Sequence, residues 1–176
     1  MTSVARTKKL SSSMSRSQSL IGWALVILVG VPPAMAPTTA GAASCQAVAG
    51  KFAVHRIDPS GCSSPVGLCY AGESHGSIQG QNLLTVTNVT LEPPDAPGML
   101  LLIGNNVITT RFGTVHSRDF ILQAQGAPGE PVDFAEVDTI VGGTGGYAGI
   151  TGRVTSTGTS AGDAAEGTYF GHICRP

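Results

Sequence analysis

Residues 137–154 read VDTIVGGTGGYAGITGRV. A β-branched apolar run ends in a burst of glycines, and two structures compete for such a stretch. Gly143, Gly145 and Ala148 can be set on the dinucleotide-binding fingerprint, with Asp163 about 20 residues further on. That motif needs a helix behind the glycines, because the helix N-terminus holds the pyrophosphate. The residues behind them are AGITGRVTSTGTSAG, rich in Gly and Thr. Each Gly costs about 1 kcal/mol against Ala inside a helix, and β-branched residues add to the penalty. The Lys of a phosphate-binding loop is also missing. The stretch therefore reads as a sheet corner. Gly142, Gly143, Gly145, Gly146, Gly149 and Gly152 supply positive φ and bare backbone for a sharp hairpin. Tyr147 packs on such bare backbone, or else sits at the surface.

Outward from the corner, the rest of the chain repeats the same grammar. No stretch keeps the i, i+3, i+4 apolar spacing of a helix. Short runs rich in Val, Thr and Ile alternate with turn residues: KFAVHRI, GLCYAGESHGSIQG, NLLTVTNVTLE, MLLLIGNNVITT, GTVHSRDFILQAQ, VDFAEVDTIV, GITGRVTSTGT and EGTYFGHI. Such closely spaced strands without helices predict an all-β sandwich or barrel. No second domain or long linker separates them. Asn88-Val89-Thr90 fits a glycosylation acceptor pattern and is read as chance inside a strand.

The N-terminus is set apart from this domain. Arg6, Lys8, Lys9 and Arg16 precede the apolar LIGWALVILVGV, then small residues up to Ala43. Basic start, short apolar core and small-residue cleavage site are the layout of a secretory signal peptide over 1–43. The apolar run is short for a membrane span, which takes about 20 residues. The domain is then 44–176, secreted or extracytoplasmic, with no membrane span left after cleavage. It keeps six basic residues, from Lys51 to Arg175, against all eleven acids, a formal charge of about −5. With no basic stripe and few aromatics, nucleic acid is excluded as a partner. Cys45, Cys62, Cys69 and Cys174 all lie in the domain. An even count in an exported domain argues for disulfides. The spacing of Cys62 and Cys69 is too wide for a zinc knuckle, so no metal and no cofactor is expected.

Two strands carry charge among apolar neighbours. Alternate residues of a strand face opposite sides, so His116 shares a face with Arg118, and Glu136 shares one with Asp138. If both faces point inward, the barrel holds a basic and acidic cluster able to bind a polar ligand head or to act as acid and base. If Ala135, Val137 and Thr139 point inward instead, the acids merely solvate the outside. His55, His75 and His172 read as surface or strand-end residues.

The glycine hairpin VDTIVGGTGGYAGITGRV resembles that of the dirigent and allene oxide cyclase superfamily. With SPVGLC and a closing GTYFGHIC, most of the domain is similar to the bacterial exported proteins called allene oxide cyclase barrel-like. The basic residue that often follows the aromatic in dirigent hairpins is absent, with Ala148 and Ile150 in that region. The resemblance implies an eight-stranded antiparallel calycin-type β-barrel. In a closed barrel the first and last strands are neighbours, which favours Cys45–Cys174 and Cys62–Cys69 among the three possible pairings. The functions expected are three: a barrel binding a small, partly apolar or phenolic ligand; a cyclase or isomerase of the family's type; or a structural barrel without a small-molecule site.

Overall fold

The protein is seen in a computed structural model that describes residues 44–176; the leader expected over 1–43 lies outside the described residues. Eight strands succeed one another in chain order: β1 (Ser44–Arg56), β2 (Cys69–Gly76), β3 (Gly80–Leu91), β4 (Met99–Thr110), β5 (Gly113–Ala124), β6 (Val132–Gly143), β7 (Thr151–Ala161) and β8 (Ala164–Arg175). Each pairs antiparallel with the next, and β8 pairs back onto β1 from Ser44↔Arg175 to His55↔Ala164, so the sheet closes. Closure removes every unpaired edge, which suits a domain whose described residues offer no α-helix to cover one. Among the described residues no helix is long and apolar enough to cross a membrane.

β1 starts earlier than its composition suggests. SCQAVAG is rich in Ala and Gly, poor strand formers, yet it pairs along β8 from the first residue. The disulfide Cys45–Cys174 joins two residues directly opposite each other in that pairing, with Cα atoms 3.9 Å apart. Cys62–Cys69, with Cα atoms 5.6 Å apart, ties the loop after β1 to the first residue of β2. No described cysteine is free, as fits an oxidising compartment.

The glycine-rich stretch is a hairpin corner between β6 and β7. A single 3-10 turn, Gly145–Tyr147, stands where a nucleotide fold would need a helix. Gly145 has φ +58° and Gly149 φ +72°, a left-handed backbone that a side chain makes costly. A Cβ on Gly145 would also strike the Phe112 carbonyl of the neighbouring β4–β5 turn. Gly145→Val should therefore lower stability by about 1–3 kcal/mol, read as a shift in the denaturant midpoint; an unchanged midpoint would refute the strained corner. Tyr147 packs against the apolar cluster below it and covers Gly143, where a Cβ would come within 2.8 Å of the Tyr147 Cβ.

Inside, the barrel is layered. One end is filled by Val48, Ile78, Val115, Ile140, Ile150 and Tyr169, among others. The other is filled by Val86, Leu102, Ile121 and Phe134. Aromatic rings fit because glycine faces them across the sheet. Gly50 pairs with Tyr169 and Gly167 pairs with Phe52, and a Cβ on either glycine would meet that ring at 2.5 or 3.0 Å. Between the two apolar clusters lies a third layer, drawn from β2 to β7.

Candidate functional site: an acidic belt inside the barrel

That middle layer is polar. Along β6 the inward residues run Phe134, Glu136, Asp138, Ile140; along β5 they run Ile121, Asp119, Ser117, Val115. Asp119 stands directly opposite Asp138 in the pairing. Asp119 is 0 % exposed, and Glu136 and Asp138 are each 9 % exposed. One carboxylate oxygen from each of the three lies within 4.8 Å of the others.

A β-bulge sets this arrangement. His116 pairs with Gly142, but Ser117 pairs with Ile140, so Val141 is the extra residue on β6. A bulge places two residues against one and switches which face of the bulged strand meets which face of its partner. Gly142, at φ +153° beside the bulge, accommodates it. Beyond Val141 the even residues of β6 share a face with the odd residues of β5.

This register corrects the expected cluster of His116, Arg118, Glu136 and Asp138. The structure brings Glu136 and Asp138 into the lumen but leaves His116 and Arg118 on the outer face. His116 Nε2 lies 2.8 Å from Thr114 Oγ1. The Arg118 guanidinium stands 5.7 Å from the centre of the Phe120 ring, also on the outside. His75 is a surface residue, 3.3 Å from Glu73, and His55 is exposed. His172 lies near the end of β8, opposite Ala47 and Arg153. The place of the two bases is taken by Asp119, which sequence reasoning passed over. The signal lies on the odd face of β5, where Asp119 alternates with Val115, Ser117 and Ile121.

The belt holds an excess of acceptors. Ser156 Oγ donates to Asp138 Oδ2 at 3.0 Å, and Asn82 Nδ2 donates to Ser74 Oγ at 3.3 Å. Both oxygens of Asp119, Oδ1 of Asp138 and the side-chain carbonyl oxygens of Asn82 and Asn106 are buried and make no hydrogen bond of ordinary geometry, although Ser117 and Asn106 stand close to Asp119. Among the described residues no Lys, Arg or His side chain lines the cavities beside the belt. Burial pushes Asp119 and Glu136 well above the ordinary carboxylate range, and the neighbouring carboxyls raise them further. For Asp119, the nearby Ser117 and Asn106 side chains offset part of this. Asp138 is also raised by burial, while Ser156, Glu136 and Asp119 pull it back. These are the directions expected where like charges share a site removed from water.

Two small cavities flank the belt. One, of about 60 Å³, lies between it and the Tyr169 end and is lined by Asn82, Asn106, Ser117, Asp138 and Ser156 with apolar neighbours. The other, of about 50 Å³, lies on the Phe134 side against Phe52, Leu84, Leu102 and Ile121. Glu136 borders both. The Tyr169 hydroxyl helps close the first: it accepts from the Ile78 N–H at 2.9 Å and lies 3.1 Å from the His75 and Ile78 carbonyls.

Fold and site together define the class: a closed antiparallel eight-stranded barrel, tied end to end by a disulfide, with three buried carboxyls at its waist. No family model, curated protein or solved structure matches the chain.

Proposed function

We propose that the protein is an exported binding barrel that takes one small, partly apolar molecule into its lumen. The observation that carries this reading is that Glu136 borders two cavities, one edged by polar side chains among apolar ones and the other almost wholly apolar. A molecule lying across both would set a hydrogen-bonding head against unpartnered acceptors and an apolar end against Phe52, Leu102 and Phe134. Sites for drug-sized ligands occupy about 300–1,000 Å³. Cavities of about 60 and 50 Å³ favour a much smaller guest than a long fatty chain. The signal-like leader and the two disulfides support export.

A second reading is an isomerase or cyclase of the allene oxide cyclase or dirigent type. It is favoured by one observation: Glu136, raised by burial and bordering both cavities, keeps a proton that an acid catalyst could deliver. The family resemblance adds to this reading. Its substrate would need the apolar end to widen.

Native mass spectrometry of protein purified from its own host tests the first reading. The expected spectrum shows one small organic molecule per chain, lost on denaturation. Ala165→Phe, which narrows the apolar cavity, should abolish its retention. A folded protein flying at the bare chain mass, with no organic guest, would leave only a structural barrel. A retained epoxide-derived or phenolic product would move the weight to the second reading.

A further inference from the structure

We propose that the carboxylates of Asp119, Glu136 and Asp138 form a binding site for a single hard divalent cation, best suited to Ca²⁺. The inference rests on the belt's geometry and not on the organic guest, so either can fail alone. Two ligand atoms of one ion can stand no further apart than twice the bond length. For Ca²⁺, with Ca–O distances of about 2.3–2.6 Å, that limit is about 4.6–5.2 Å. The three carboxylate oxygens all lie within 4.8 Å of one another, the pairwise range that a shared Ca²⁺ requires. For Mg²⁺, at about 2.0–2.1 Å and in near-ideal octahedral geometry, the limit is tighter, about 4.2 Å.

A second observation, outside the acids, points the same way. Asn82 is 9 % exposed, lines the same cavity as Glu136 and Asp138, and its carbonyl oxygen has no partner. The Asn106 carbonyl oxygen is likewise buried and unpartnered in that cavity. Buried acceptors left without donors are costly, and five lie together in this belt. Amide carbonyls beside carboxylates, with no His or Cys, make a set of hard oxygen donors. Such sets select Ca²⁺, Mg²⁺ or Mn²⁺ over zinc or copper, and carbonyl oxygens beside several carboxylates are the Ca²⁺ pattern. The adjoining space of about 60 Å³ has room for waters to complete the coordination.

The test uses the purified, disulfide-bonded protein, stripped with EDTA and dialysed. Calorimetric titration with CaCl₂ up to about 5 mM, which covers the range of extracellular calcium sites, should give one ion per chain. The melting temperature should rise with added Ca²⁺, as mass action on the folded state requires. Asp119→Asn, which keeps the shape of the carboxyl and so should fold well, should weaken binding about 100-fold, as should Asp138→Asn. Glu73→Gln, on the outer surface, should bind like the parent. Absence of binding at about 5 mM, a response to Mg²⁺ but not Ca²⁺, or undiminished binding in both belt variants would each overturn the site.

Discussion

Replacing Cys45 and Cys174 together with Ser should lower the stability of the oxidised protein by about 4–5 kcal/mol, the largest single loss expected in this barrel. The two residues are 129 apart in sequence. In the chain-entropy picture a bridge that closes so long a loop restricts the unfolded chain more than any local one. It also holds the β1–β8 seam, the one strand pairing in the described barrel made between segments far apart in the chain. Cys62–Cys69 spans only 7 residues, so its removal should cost clearly less. Denaturant unfolding of the two double-Ser variants side by side checks the order. Equal midpoints, or a larger loss from the local bridge, would contradict it.

Asp119→Asn should do the opposite and stabilise the chelated protein at neutral pH, by about 1–3 kcal/mol. The sign comes from proton linkage. Asp119 and Glu136 are raised in the folded state, so the folded chain holds more protons than the unfolded chain once pH passes the ordinary carboxylate range near 4. Stability then falls as pH rises, because the slope tracks protons bound by the unfolded chain minus those bound by the folded one. Below about pH 4 both states are protonated and this penalty vanishes. The amide in the Asp119→Asn variant keeps the shape of the carboxyl and cannot ionise, so its advantage should be small in acid and grow toward neutrality. Thermal melts across that pH range in EDTA measure it. A variant less stable than the parent at neutral pH, or a gain independent of pH, would show that Asp119 is not held against its charge.

The hairpin corner was legible in the sequence because local chemistry alone decides it: the glycines forbid a helix and permit a left-handed turn. Eight strands were legible for the same reason, since each is bounded by its own turn residues. The start of β1 was hidden, because Ser44 to Gly50 become a strand only through pairing with β8 at the far end of the chain. The belt was half visible. Glu136 and Asp138 stood out as charges on one face, but which face meets the lumen depends on register, and register depends on the bulge at Val141. Nothing in VDFAEVDTIVGG announces a bulge except Gly142 and Gly143, which a tight turn explains equally well. Reading β5 and β6 without that extra residue turns His116 and Arg118 inward and hides Asp119. A polar side chain between Ser117 and Ile121 on an otherwise inward face is the pattern that points to it.

Three carboxyls sit together in the dry waist of the barrel. Carbon-13 NMR titration of the side-chain carboxyls of the chelated protein tests this most directly. The expected result is that Asp119 and Glu136 titrate well above the ordinary carboxylate range, that their curves are coupled to that of Asp138, and that Asp119→Asn lowers the Glu136 midpoint. Three independent midpoints in the ordinary range would place these groups in water and contradict the account.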